Sequence, residues 1–180
     1  MQITGQVWKY GDDVNTDVIF PGKYTYTLQP AEFAKHALED LDPTFAGAVK
    51  VDDIIVAGRN FGCGSSREQA AVCIRQSGVR VIVAKSFGRI FFRNCVNNGV
   101  LPLVSADAVD AAEKGDTLSA DLDTGTLTLT DAQGAVRTFP FPPLSPSVMA
   151  IIEAGGLIRM LRRKLGTEHL PMPEIKFAGE

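Results

Sequence analysis

Near-continuous apolar segments occupy the centre of the chain. Residues 53–58, 79–84 and 100–104 are short, rich in Val, Ile and Leu, and bounded by polar or glycine-containing turns. Segments of this kind are typical of strands that are buried on both faces of a parallel sheet. The stretches between them, at about 67–76 and 88–98, have the longer apolar spacing of helices. The pattern therefore predicts a parallel βαβαβ unit.

The pattern changes to alternation in the next part of the chain. Polar and apolar side chains alternate through residues 117–122, 126–130 and 135–141, and turns containing Asp and Gly join these segments. Alternating segments with such turns predict antiparallel hairpins. The expected fold class is α/β, with the parallel βαβαβ unit packed beside an antiparallel β meander.

The two ends of the chain add elements to this unit. Residues 3–8 predict a first strand, residues 21–30 a loop, and residues 30–41 an amphipathic helix. Ser145, followed by proline, is the expected N-cap of one last helix whose end, at 159–164, is basic. Basic residues there complement the negative end of the helix dipole, so we interpret them as a solvated face.

Composition limits the classes of function. The 180 residues are 45% hydrophobic and 22% charged, which is ordinary for one globular domain. A net charge of −3 argues against a nucleic-acid binder. No apolar run approaches the roughly 18–20 residues that span a bilayer, and the N-terminal residues do not have the pattern of a signal peptide. We therefore expect a cytoplasmic protein that binds neither nucleic acid nor membrane.

Three cysteines, Cys63, Cys73 and Cys95, are the natural candidates for metal ligands. Their odd number and spacing predict no disulfide framework. They also contain no CxxC pair, so we expect neither a zinc site nor an iron–sulfur cluster on this chain.

Residues 60–68, Asn-Phe-Gly-Cys-Gly-Ser-Ser-Arg-Glu, are the segment most indicative of chemistry. They follow a predicted parallel strand and precede a helix, which is where open α/β sheets bind ligands. Glycines that admit a ligand to the backbone, free N–H groups of a helix expected to begin near Arg67, and the arginine itself together predict a carboxylate or phosphate site.

Other interpretations of this segment compete with a ligand site. Ser65 and Glu68 have the spacing of a capping box, so the segment could simply start a helix. A P-loop fits poorly because no Lys-Ser/Thr follows the glycines. Cys63 is a weak candidate nucleophile, since neither His36 nor His169 has an evident route to it.

Four stretches carry a resemblance to a known family. Residues 61–68 resemble the Gly-Ser-Ser-Arg-Glu signature of the swivelling domain of the aconitase superfamily, and residues 84–91 and 94–102 resemble its downstream Lys-Ser-Phe-x-Arg-Ile-Phe and Gly-x-Leu-Pro run. Residues 13–19 resemble its Asp-x-x-Thr-Asp-x-Ile entry. By its size and motif order the chain resembles the small subunits of isopropylmalate dehydratases, especially the compact type.

The resemblance implies a swivelling β/β/α domain over residues 1–165, with a C-terminal tail at 166–180. It implies a hydro-lyase that is active only with a large subunit, which would hold a [4Fe–4S] cluster and leave this chain without a cofactor. Ser65 matches the catalytic base, Ser66 and Arg67 match substrate-carboxylate contacts, and Asp17 matches a residue at the rim of the active site. The other matched polar residues are expected to be structural: Lys85, Arg89, Asn94 and Asn97.

The expected specificity loop departs from the pattern of the leucine-pathway members. Those often have Tyr-Leu-Arg-Thr there, whereas this chain has Tyr24, Thr25, Tyr26 and Thr27 and no arginine between Pro21 and Pro30. The substrate expected is a hydroxy-dicarboxylate, either 3-isopropylmalate or a related alkylmalate, with a homoaconitase-type or dimethylmalate dehydratase as alternatives.

Different classes of protein also remain open. One is a carboxylate-binding module without catalysis, and another is a phosphate or nucleotide binder at the glycine-rich turn. The isolated chain could form a homo-oligomer.

Overall fold

A computed structural model of the chain describes residues 1–25 and 29–171, apart from the side chains of residues 30 and 31. The described residues form one seven-stranded sheet. Its strands are β1 (Gln2–Lys9), β2 (Ile54–Ala57), β3 (Val81–Ala84), β4 (Leu101–Val104), β5 (Thr117–Asp121), β6 (Thr126–Thr130) and β7 (Val136–Pro140).

Seven α-helices and two 3-10 helices lie in the same described ranges. The α-helices are α1 (Thr16–Ile19), α2 (Phe45–Ala48), α3 (Gln69–Gln76), α4 (Arg89–Asn97), α5 (Ala106–Ala111), α6 (Pro146–Glu153) and α7 (Leu157–Leu165), and the 3-10 helices are Gly22–Tyr24 and Pro30–His36. None of these helices has the length and apolarity needed to cross a membrane.

The strand order is β4-β3-β2-β1-β5-β6-β7. Strands β1 to β4 pair in parallel, whereas β5, β6 and β7 pair as an antiparallel meander. Strand β1 joins the two parts, because it is parallel to β2 and antiparallel to β5. The predicted α/β class, the parallel βαβαβ unit and the meander are therefore confirmed, and the two parts share one sheet.

Successive side chains of the central strands point to opposite faces of the sheet and belong to two separate hydrophobic cores. Ile55 and Ile82 face a core that α3 and α4 cover, whereas Ile54 and Val81 face a second core that α5 and α6 cover. These four side chains are fully buried. Burial on both faces explains why the central strands are continuously apolar in sequence.

The predicted helix at 30–41 is wrong as an α-helix. The chain forms a 3-10 helix over Pro30–His36 and then a series of turns. Leu38 has a positive φ of 56°, and its N–H donates to Ile19 O at 2.9 Å, so the backbone leaves the helical path to bond the end of α1. Phe33 and Leu38 are still buried, as the apolar pattern required.

The predicted last helix is divided into α6 and α7. Ser145 caps α6 as expected, accepting a hydrogen bond from the N–H of Val148. The helix stops because Gly155 and Gly156 have φ values of 77° and 124°. A Cβ on Gly156 would lie 2.7 Å from Asn97 O, so the break also allows the backbone to approach the end of α4 closely. The boundary at residue 165 between domain and tail stays a prediction.

Candidate active site

The glycine-rich turn after β2 is held against the loop that precedes α1. The N–H of Gly62 donates to Val14 O at 2.7 Å, and the N–H of Thr16 donates to Cys63 O at 2.8 Å. Gly62 has a φ of 75°, and a Cβ there would lie 2.1 Å from Cγ of Phe91, so only glycine fits. These contacts bring residues 13–17 and 62–67 together although they are far apart in sequence.

Ser65 is fixed by the side chain of Thr16. Its N–H donates to Thr16 Oγ1 at 3.1 Å, and its hydroxyl oxygen lies 3.0 Å from the same atom. A hydroxyl group can accept one hydrogen bond and donate another, so Thr16 Oγ1 can accept the amide proton and donate its own to Ser65 Oγ, which is closer than Ser65 O at 3.5 Å; the same distance also fits donation from Ser65 Oγ. Thr16 is 1% exposed and Ser65 is half-buried, so the protein encloses Thr16 and leaves Ser65 partly accessible.

The alternative interpretation of this turn, a capping box, does not hold. Helix α3 begins at Gln69, and its N-cap residue Glu68 makes no capping hydrogen bond with its side chain. Glu68 Oε1 instead accepts a hydrogen bond from Asn98 Nδ2 at 2.9 Å. The helix also starts two residues later than expected, so Ser65 lies before its first turn. The N–H that reaches the Ser65 hydroxyl is that of Arg67, at 3.4 Å.

The two terminal nitrogens of the Arg67 guanidinium group, Nη1 and Nη2, differ in their contacts. Its Nη2 forms an ion pair with Asp17 Oδ1, and its Nη1 is buried without a hydrogen-bond partner in the described part of the chain. A Cβ on Gly22 would lie 2.7 Å from this Nη1, so the glycine makes room for the guanidinium group. An unsatisfied buried donor costs about 1–3 kcal/mol, which a planar acceptor such as a carboxylate would offset.

Ser66 faces outwards beside this pair. The residue is exposed, and its carbonyl oxygen accepts a hydrogen bond from Asn94 Nδ2 at 3.3 Å. The structure therefore brings Ser65, Ser66, Arg67 and Asp17 into one neighbourhood, at the edge where the parallel strands end.

The expected specificity loop is described only at its start. The ring of Tyr24 stacks on His36 with 3.8 Å between ring centroids, and Thr25 is buried with no described partner for its hydroxyl oxygen. Tyr26 and Thr27 lie outside the described residues.

Glu39 links the start of the expected specificity loop to the 3-10 helix that follows it. Glu39 pairs with Lys23 at 2.8 Å and with His36 at 2.7 Å. Burial raises the pKa of Glu39, but the hydrogen bonds from Lys23 and His36 outweigh burial and lower the pKa overall.

The cysteines do not assemble into a metal site. Burial raises the pKa of the thiols of Cys73 and Cys95, and Cys73 Sγ donates to Phe33 O at 3.2 Å. Cys63 is partly exposed in the turn. Across residues 1–25 and 29–171, no three His, Cys, Asp or Glu residues are grouped so as to hold a metal ion. These residues do not fit an iron–sulfur cluster.

Sequence reasoning missed Thr16 as a site residue. Thr16 is the Thr of the matched Asp-x-x-Thr-Asp-x-Ile stretch, which is the signal that could identify it, but the resemblance implies a role only for its neighbour Asp17. Asn15 was missed as well: its side chain caps α1 by accepting the N–H of Val18 at 2.9 Å and so fixes Thr16 at the first helical position.

Comparisons with known proteins show the family of the chain. Residues 46–108 match the model of the aconitase C-terminal domain. The 3-isopropylmalate dehydratase small subunit of Thermodesulfovibrio yellowstonii is 42% identical over 170 residues, covering 94% of this chain and 99% of that protein. The chain belongs to the family of 3-isopropylmalate dehydratase small subunits. The small subunit of Caldicellulosiruptor saccharolyticus is 47% identical and covers 92% of this chain and 94% of its own length.

A solved structure of this family has the same fold. The 3-isopropylmalate dehydratase structure from Methanocaldococcus jannaschii superposes with a TM-score of 0.84 at 41% identity, covering 95% of this chain and 100% of that one. The expected swivelling-domain fold is thereby confirmed. As a member of this family, the chain is the small subunit of a hydro-lyase in the aconitase superfamily, as the motifs predicted.

Proposed function

We propose that this chain forms a dehydratase with a large subunit and acts on 3-isopropylmalate or a related alkylmalate. Ser65 is the base in this proposal, and Arg67 binds a substrate carboxylate. The observation that carries it is the contact between Ser65 and Thr16, beside an arginine whose inner nitrogen lacks a partner in the described residues. The names of the relatives support the choice of reaction and substrate.

Removal of water next to a carboxylate makes two chemical demands. A base must take the proton on the carbon, and the departing hydroxide needs a Lewis acid. In the proposal, Ser65 Oγ takes the proton. A hydroxyl group is a weak base, so its anionic form needs hydrogen-bond donors, and the Thr16 hydroxyl at 3.0 Å and the N–H of Arg67 at 3.4 Å are the donors in reach.

Arg67 orients the substrate in this proposal. A guanidinium group can hold a carboxylate through two parallel hydrogen bonds, which fixes the carbon that faces the base. Asp17 holds Nη2 from the exposed side, while Nη1 is available for a further acceptor. The exposed Ser66 hydroxyl can add a hydrogen bond to the same carboxylate.

The Lewis acid is assigned to the partner. The resemblance implies a [4Fe–4S] cluster in the large subunit, and the buried, protonated thiols of Cys73 and Cys95 are poor cluster ligands. The proposal places the assembled enzyme in the cytoplasm, in keeping with the three free cysteines.

The substrate side group is assigned to the segment from Gly22 to Thr27. No arginine is present there to bind an additional carboxylate, which favours an alkylmalate over homocitrate. The test is the ratio of kcat/KM for alkylmalates to that for homocitrate, in the wild type and in Tyr26→Arg. A wild-type preference for homocitrate, or a ratio unchanged by the arginine, would contradict this assignment.

Reconstitution tests the function itself. The purified chain is combined anaerobically with a cluster-loaded 3-isopropylmalate dehydratase large subunit and assayed with 3-isopropylmalate, citramalate, dimethylmalate and homocitrate. We expect turnover by the mixture only, highest with the alkylmalates. Turnover by the small chain alone would contradict the division of labour, and dicarboxylate binding without turnover in any mixture would indicate a module without catalysis.

A further inference from the structure

An exposed apolar patch lies at the end of the sheet that carries the catalytic turn. Three apolar residues and two arginines form it, and we call it the edge patch: Phe87, Phe92, Val104, Arg89 and Arg93. Val104 is 41% exposed, although it is the last residue of β4, whose other three residues are buried. A cleft of about 450 Å³ opens between Phe87, Phe92 and Val104.

The aromatic part of the edge patch is held in place by the core. The rings of Phe87 and Phe92 meet edge to face at 5.9 Å between centroids, and Phe87 meets Phe61 in the same way at 6.4 Å. Phe61 is fully buried, so the half-buried ring of Phe87 packs directly on the core and that of Phe92 packs on Phe87. Aromatic side chains beside arginines at a surface have the composition of the energetic centre of protein interfaces.

The rim of the edge patch is positively charged. Arg89 and Arg93 are exposed, one turn apart on α4, and neither forms an ion pair or a side-chain hydrogen bond with the described residues. The nearby Lys85, in contrast, pairs with Asp110. A partner surface that carries carboxylates around an apolar centre would complement this rim.

The edge patch is continuous with the catalytic turn. The N–H of Gly88 donates to Phe61 O at 2.9 Å, and the N–H of Phe61 donates to Ser86 O at 3.0 Å. A Cβ on Gly88 would lie 2.5 Å from Gly62 O, so the two turns touch through their backbones. A protein that contacts Ser65 therefore also comes close to the edge patch.

We infer that the edge patch binds the large subunit of the dehydratase. The complementary surface of the large subunit would be apolar at its centre and flanked by acidic residues. This inference rests on the proposed function, in which the Lewis acid must be brought to Ser65 by the partner. Because the catalytic turn and the edge patch occupy the same end of the sheet, one docking event covers the apolar residues and completes the active site.

Two substitutions test the inference, with a matched control. Val104→Glu and Val104→Asp place a carboxylate in the edge patch at a 41% exposed position, and Val136→Glu places one at a 62% exposed position on β7. A fixed amount of large subunit is titrated with each chain. We expect the half-saturating concentration to rise at least about tenfold for the two edge variants, about 1.4 kcal/mol, while kcat at saturation is retained. The control should titrate as the wild type does.

The outcomes separate this inference from the proposed function. If the wild type fails to activate any large subunit, the function fails. If the wild type activates and both edge variants titrate normally, the docking site is wrong. Sedimentation of the isolated chain tests a second copy as the occupant: loss of self-association in Val104→Glu with unchanged titration would also overturn the inference. Arg93→Glu should slow association and weaken its salt dependence, and unchanged rates would contradict the acidic partner surface.

Discussion

Replacement of Ser65 by alanine is the sharpest test of the catalytic assignment. The change removes the proposed base and leaves the backbone in place. Loss of a general base lowers kcat by about 10² to 10⁴, so we expect a fall of at least about 10²-fold, or about 2.7 kcal/mol of transition-state stabilisation. KM should change less, because Arg67 still binds the carboxylate.

The structure also limits the cost in stability. The Ser65 hydroxyl contacts Thr16 Oγ1 at 3.0 Å and the N–H of Arg67 at a long 3.4 Å. Loss of one such hydrogen bond costs about 0.5–1.5 kcal/mol. The lower end is expected, because buried Thr16 Oγ1 keeps the bond from the backbone N–H of residue 65.

Ser145→Ala is the matched control. Ser145 is a true helix cap, so its replacement should cost about 1 kcal/mol of unfolding free energy and leave kcat unchanged. Denaturant unfolding of each chain and turnover of each reconstituted enzyme, followed by the ultraviolet absorbance of the unsaturated product, measure both quantities. A kcat for Ser65→Ala within about threefold of the wild type, with a stability loss like that of the control, would refute the role of Ser65 as base.

Three further predictions concern the surroundings of the site. Arg67→Lys should raise KM and lower kcat/KM without unfolding the chain, because a point charge cannot replace the guanidinium fork; normal kinetics would place the carboxylate site elsewhere. Gly22→Ala should lower kcat/KM by crowding Arg67 Nη1, whereas Gly47→Ala, which meets nothing within 4 Å, should have no effect on kinetics. Cys73 and Cys95 should resist alkylation in the folded chain and react after unfolding, because burial raises the pKa of both thiols; mass spectrometry of labelled peptides measures this.

The parallel unit could be predicted from sequence because its strands are buried on both faces. Their apolar runs are therefore continuous, and few other structures produce them. The sequence of residues 30–41 does not distinguish an α-helix from the observed 3-10 helix and turns, because the same apolar side chains are buried in both. The hydrogen bond from Leu38 to Ile19 that redirects the backbone is a tertiary contact.

The residues of the candidate site that lie in one motif could be predicted from the sequence. The contacts between that motif and distant loops could not. Ser65 and Arg67 belong to one stretch with a specific signature, so they could be named together. The contact between Ser65 and Thr16 spans 49 positions and depends on how two loops pack. The buried Nη1 of Arg67 likewise results from the position of Gly22, which no spacing rule indicates.

The position of β1 sets a limit on how the chain can be divided. Residues 46–108 match the aconitase C-terminal domain and contain β2, β3 and β4, but not β1. Expressed alone, this fragment would present the open edge of β2, from Ile54 to Val56, to other molecules. Unpaired apolar edges promote aggregation, so the fragment should be insoluble. Addition of a peptide with the sequence of residues 1–10 should increase solubility, because it can pair with β2 as β1 does in the whole chain. The first strand would then protect the motif that follows it from aggregation.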